Sequence, residues 1–96
     1  MKRTTPYPLI QGFVRGYLHQ DAQAEYGSAH GAAAQFCRDA DRNQIEQLRA
    51  EWADFRKQHS KLSDVNQALH NLGSSWQFQT IDEFQQMITT FQMHKI

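Results

Sequence analysis

Cysteine is almost missing from this 96-residue chain, with Cys37 standing alone. A lone thiol forms no internal disulfide and no thiolate metal cluster. That usage fits a reducing compartment, so a cytoplasmic location is expected. Long apolar runs are missing too. The mean hydropathy is −0.74, and no segment approaches the roughly 20 apolar residues of a membrane-spanning helix. The basic start, Met1-Lys2-Arg3, leads into no signal-peptide core, because only Leu9-Ile10 are consecutively apolar before Gln11, Arg15 and His19 intervene. Neither sign of charge is in excess, with ten acidic and ten basic residues and a formal net charge of zero. Attachment to nucleic acid or membrane through overall charge is therefore not expected. Internal repeats, linkers and low-complexity tracts are also lacking, and charge shifts only mildly along the chain.

What is present suffices for one modest core. Hydrophobic residues make up 40% of the chain, and six Phe, three Tyr and two Trp supply much of the volume. Folding at this length hides about two-thirds of the extended chain's surface. One domain spanning residues 1–96 is expected.

The apolar residues recur at helical spacing. Leu9, Ile10, Phe13, Val14, Tyr17 and Leu18 share one face after Pro6 and Pro8. Gly12 and Gly16, one turn apart at its edge, each cost about 1 kcal/mol relative to alanine, or else admit a neighbouring backbone. The helix should fray between His19 and Asp21. Glu25-Tyr26-Gly27-Ser28 reads as a turn, with Ser28 capping a helix over 29–40. Its stripe of Ala33, Phe36, Cys37 and Ala40 would bring neighbours close. Asp41 and Gln44 have capping-box spacing, ahead of a helix from Arg42 to Gln58 that buries Ile45, Leu48, Trp52 and Phe55. Ser63 would cap a short helix bearing Val65, Leu69 and Leu72, with Gly73 at C′. In 74–79, Trp76 and Phe78 alternate with Gln77 and Gln79, which allows a strand. With no partner strand in sight, the segment reads as loop. Thr80 and Glu83 form a second capping box, and Ile81, Phe84, Met87, Ile88 and Phe91 mark a last helix to about Met93. The fold class is all-α, a compact bundle of about five short helices. The expected core is Leu9, Phe13, Val14, Tyr17, Phe36, Ile45, Leu48, Trp52, Phe55, Leu69, Leu72, Phe84, Ile88 and Phe91.

Chemistry is thinly signalled. Tyr17, His19, Asp21 and Glu25 form the best local constellation, in which His19 is a conceivable general base, or a metal ligand with Glu25. The structural alternative is equally concrete: His19 complements a helix C-terminus while Asp21 or Glu25 caps or pairs across the turn. No His-Glu-x-x-His, P-loop, dinucleotide fingerprint or nucleophile elbow occurs. No catalytic residue, cofactor or metal site is assigned. His30, His59, His70 and His94 share no short spacing, and Cys37 reads as a buried, inert thiol. Arg49, Arg56, Lys57 and Lys61 are interleaved with Glu46, Glu51 and Asp54, as on a solvated helix face. Trp76 and Phe78, in a segment without helical period, either anchor an interface or close the floor of the core.

The run Phe13-Val14-Arg15-Gly16-Tyr17-Leu18-His19-Gln20-Asp21, followed by Glu25-Tyr26-Gly27-Ser28, resembles a known family. It looks like the small helical immunity proteins of bacterial contact-dependent growth inhibition and related polymorphic toxin systems. Their first helix is aromatic-rich and ends in Tyr-(Phe/Leu)-His-Gln-Asp, ahead of an acidic residue, an aromatic residue, a short turn and an alanine-rich helix. The likeness extends over residues 9–93. Two departures stand out: Ala22 replaces a tryptophan, and His30-Gly31 replace acidic residues of the first helical turn. The resemblance implies a protein that is not an enzyme. Such proteins bind the toxic C-terminal domain of a cognate effector in the cytoplasm, often a nuclease, and block its active site or substrate surface. It also implies that Tyr17, His19, Gln20, Asp21, Glu25 and Tyr26, with Trp76 and Phe78, contact the toxin or support the contact. Asp21, Glu25, Asp39, Asp64, Asp82 and Glu83 are the acidic residues available to face an electropositive nuclease. Two rivals are a nucleic-acid-binding module and a metalloprotein. The first would use helices at 63–72 and 81–93, although the connection is long and aromatic for a helix-turn-helix and the second helix lacks a basic face. The second would need His19, Asp21 and Glu25 to converge on a water-filled cleft.

Overall fold

The computed structural model describes residues 7–94. Six helices follow one another: α1 (Pro8–Tyr17), α2 (Ala22–Tyr26), α3 (Ala29–Asp39), α4 (Arg42–Gln58), α5 (Leu62–Asn71) and α6 (Ile81–Met93). Among the described residues there is no strand, so the all-α expectation holds. Residues 1–6 and 95–96, Lys95 among them, lie outside the described residues. The additional helix is α2, where a turn over 25–28 was expected. Ala22, Gln23, Ala24 and Glu25 are all adequate helix formers, and Glu25 lies in the first turn, where the helix dipole favours an acid. Ala22 is fully buried, so the residue after Asp21 is packing material and not an exposed anchor.

The helix starts are decided by caps, and two of these differ from expectation. Ser28 accepts from Gly31 N at 3.0 Å, and Asp41 with Gln44 completes both arms of a capping box. Thr80 accepts from Glu83 N at 3.1 Å, but Glu83 does not reach back to Thr80. Its carboxylate instead accepts from Gln79 N (2.8 Å) and the Trp76 indole N–H (3.0 Å). Helix α5 opens at Leu62 after Lys61, with no side-chain cap, so Ser63 lies inside it. Starting two residues earlier lets Leu62 pack against the core. Its end is a Schellman motif: Ser74 N donates to Leu69 O and Gly73 N to His70 O, both at 3.0 Å, with Gly73 at φ 109°.

The start of α1 is held from a distance. Pro8 occupies the first helical position, and Tyr7 gives no side-chain cap. The carboxylate of Glu51, on α4, accepts from both Leu9 N and Ile10 N at 3.0 Å. Glu51 is 8% exposed, which corrects its reading as part of a solvated face. A buried carboxylate here satisfies two orphan donors and complements the dipole. Arg49 also departs from that face. Its guanidinium donates to Phe91 O (2.7 Å) and His94 O (2.6 Å), closing the end of α6, which has no basic residue in its own last turn. Arg56 lies 5.5 Å over the Phe84 ring.

Trp52 occupies the middle of the core, with Phe55, Phe84, Phe91 and Phe13 at centroid distances of 5.4, 5.6, 6.2 and 6.5 Å. Helix α3 packs more extensively on α6 than any other pair of helices does. Its buried stripe is Ala29, Ala32, Ala33 and Cys37, rotated from the expected one, so Phe36 and Ala40 lie at the rim. Burial pushes the Cys37 thiol up despite nearby Arg49. Leu9, Tyr17 and Leu72 are also half-buried, while Ile10, Leu18, Val65, Phe78 and Met87 join the core. Gly12 and Gly16 admit no neighbouring backbone, since nothing lies within 4 Å of a Cβ built at either. The glycine that does is Gly31, whose Cβ would come 2.2 Å from Tyr26 O. This contact seats α2 against the start of α3.

Candidate functional site

The end of α1, α2 and the last turn of α3 bring together a pair of tyrosines and two carboxylates. Tyr17 and Tyr26 stack with centroids 5.8 Å apart, and Tyr17 rests on Phe13 (5.7 Å) and Phe36 (5.3 Å). Its hydroxyl donates to Asp39 Oδ2 at 2.6 Å. Burial, followed by that hydrogen bond to an anion, pushes the Tyr17 phenol up to about 12. Tyr26 is raised as well, by burial first and then by Glu25. Gln35 donates to the other oxygen of Asp39. Asp39 was expected only as one of several acids. Sequence does carry a signal for it: an acid in the last turn of a helix opposes the dipole and calls for a compensating donor, here Tyr17.

His19 sits at the joint between α1 and α2. Its Nδ1 accepts from Asp21 N at 3.1 Å, so in the neutral ring the proton is on Nε2. That atom lies 3.7 Å from Glu25 Oε2, and the ring lies 6.3 Å from Tyr26. Asp21 contributes its backbone to this joint, and its exposed side chain caps nothing. The constellation is therefore a fastened turn. Among the described residues, no three His, Cys, Asp or Glu side chains gather where one ion could be held.

The 72–80 segment is drawn to the same end of the molecule, with Ser75 N donating to Leu18 O at 2.9 Å. His19, Gln20 and Trp76 thereby come to line one cleft of about 370 Å³, shared with Gln23, Ser28 and Glu83. Asp21 and Glu25 do not line it. Trp76 is half-buried, with its indole N–H turned to Glu83. Phe78 is 1% exposed and packs on Phe84 at 5.3 Å, so it props the segment up from beneath. Asn66, which no sequence pattern marks, grips the Phe78 backbone from α5. Asp82 lines a different groove, with His30 and Gln85. Helices α5 and α6 make few close contacts with each other, and the extended 72–80 segment between them is unlike the tight turn of a helix-turn-helix.

No helix among the described residues is long and apolar enough to cross a membrane. The sequence pattern of a protein family described as "CdiI immunity protein" matches residues 6–90. No curated protein and no solved structure gives a match. The match spans every helix but the last turn of α6, and takes in the His19 joint, the tyrosine pair and the Trp76 segment; the chain belongs to the CdiI immunity protein family.

Proposed function

We propose that the protein works in the cytoplasm by binding the toxic C-terminal domain of its cognate contact-dependent growth inhibition effector. We further propose that this domain is a nuclease, and that the α1–α3 end of the immunity protein covers its active site or substrate surface. No reaction is performed by the immunity protein itself. The observation that carries the reading is the stacked Tyr17–Tyr26 pair bordered by Glu25 and Asp39, with the exposed Asp21 close by in sequence. Nuclease sites are electropositive, and a tyrosine platform edged with carboxylates complements them in charge. Tyrosines already ordered by packing also lose little entropy on docking. Zero net charge does not oppose this, because Glu25 and Asp39 both border the tyrosine pair.

The test is co-expression and pull-down with the C-terminal domain encoded by the gene immediately upstream, followed by calorimetry on the purified pair. Reversing charge at two exposed acids, Asp21→Lys with Glu25→Lys, should weaken binding by about tenfold or more, equivalent to about 1.4 kcal/mol, in a protein that still unfolds cooperatively. Full affinity at full stability removes those residues from the contact. Growth rescue without pull-down counts against direct inhibition.

A further inference from the structure

Residues 74–78 contain no helix, turn or bend. Their side chains alternate, with Ser74, Trp76 and Phe78 turned inward and Ser75 and Gln77 exposed. That is the period of a strand, in which successive residues also direct their backbone groups to opposite edges. One edge is occupied by side chains that imitate a neighbouring strand. Asn66 donates to Phe78 O (3.0 Å) and accepts from Phe78 N (2.8 Å), and Ser74 Oγ does the same for Trp76 O (3.2 Å) and Trp76 N (3.1 Å). The other edge is used only at Ser75 N, which donates to Leu18 O. Beyond it, nothing among the described residues pairs with Ser75 O or Gln77 N, and Gln77 O meets only the Gln79 side chain at 3.5 Å.

Exposed strand edges are commonly guarded by a charge or a proline. Ser74-Ser75-Trp76-Gln77-Phe78-Gln79 has neither. The open edge borders the cleft lined by His19, Gln20, Gln23 and Ser28. Its one carboxylate, Glu83, is engaged by Trp76 and Gln79 N. The rest of the lining, amides and hydroxyls with the His19 imidazole, offers no lysine or arginine to a phosphate and no free anion to a cation, but it matches the donors and acceptors of another peptide backbone.

We propose that this edge is where the partner adds a strand. An extended segment of the cognate toxin domain lies antiparallel beside Gln77, continuing the edge that Leu18 covers at Ser75, and one of its residues exchanges both backbone hydrogen bonds with Gln77. Trp76, ordered by Glu83, flanks that segment as a preformed anchor. The inference rests on the toxin-binding reading above and extends it to the cleft that begins at His19 and Gln20.

Gln77→Pro removes the N–H while leaving Trp76 in the extended region preferred before proline. Gln77→Ala keeps the N–H and deletes only the side chain. In calorimetry against the purified toxin domain, Gln77→Ala should bind as the unsubstituted protein does. Gln77→Pro should bind about tenfold more weakly or worse, with its unfolding midpoint retained. Unimpaired binding by Gln77→Pro overturns strand addition and leaves toxin binding intact, whereas no binding by the unsubstituted protein overturns both. Should Gln77→Pro fail to fold, amide exchange read by NMR on the unsubstituted protein decides. Slowing of the Gln77 amide by about tenfold or more on adding toxin domain supports the edge, and unchanged exchange overturns it. Slowing that depends on the immunity protein's own concentration, without toxin, assigns the edge to a second copy and overturns the proposal.

Discussion

At the scale of single residues, one buried carboxylate and two tyrosine hydroxyls decide more than their number suggests. Glu51 holds two backbone donors of α1. Glu51→Ala leaves both without an acceptor in a buried setting and should cost roughly 2–4 kcal/mol by urea unfolding. Glu51→Gln keeps one good acceptor and should cost about 1 kcal/mol. Equal losses in the two variants would show that the carboxylate's charge, and not its hydrogen bonds, holds the helix. Tyr7 and Tyr17 act in the opposite pH direction from a carboxylate. Each donates to an acid, Asp54 and Asp39 respectively, and each phenol is pushed from 10.0 up to about 12, by burial first. Below about pH 10 both are protonated in folded and unfolded chains alike, and their contribution is complete. Between about pH 10 and about pH 12 the unfolded chain releases the protons that the folded protein keeps, so stability falls as pH rises. Tyr17→Phe should therefore lose less stability than the unsubstituted protein between about pH 10 and about pH 12 in urea unfolding. The absorbance titration should also lose one late-ionising phenol.

At the scale of elements, glycine separates two situations that look alike in sequence. Gly12 and Gly16 are exposed, with open space where a Cβ would stand. Replacing each with alanine should stabilise the protein by about 0.5–1 kcal/mol through helix propensity. Gly31 is also helical, but its Cβ would meet Tyr26 O. Gly31→Ala must push α2 off α3 and should cost about 1–3 kcal/mol. Thermal denaturation resolves both effects, since about 1 kcal/mol moves the midpoint of a domain this size by about 4–8 °C. A destabilising Gly12→Ala would reveal a packing role that the geometry does not contain. Caps followed the same division. Ser28 and Asp41 act locally and were legible, whereas α1 and the end of α6 depend on Glu51 and Arg49, far away in sequence.

At the scale of the whole molecule, α1, α3, α4, α5 and α6 contribute to one connected set of buried residues around Trp52, and α2 packs against it through Tyr26. Helices of 5 to 17 residues are mostly too short to persist alone in water, so each depends on the shared core. Unfolding should be a single transition in urea, with far-UV circular dichroism and tryptophan emission changing together. Non-coincident curves would show that part of the chain folds independently. The two tryptophans divide the reporting, Trp52 from the centre and Trp76 from the cleft. Trp76→Phe should leave a blue-shifted emission from the buried Trp52 alone.

The sequence by itself determined the helical class, most helix boundaries and the large aromatic core, because periodicity and local caps are written in neighbouring residues. It also carried the family pattern that residues 6–90 match. Only tertiary structure decided which charges turn inward, since Glu51 and Arg49 have the same neighbours in sequence as exposed acids and bases and differ only in what faces them. The 74–79 segment shows the same limit: its alternation is legible, but whether a strand's edge is covered depends on where Asn66 and Leu18 are brought, and long-range packing alone sets that.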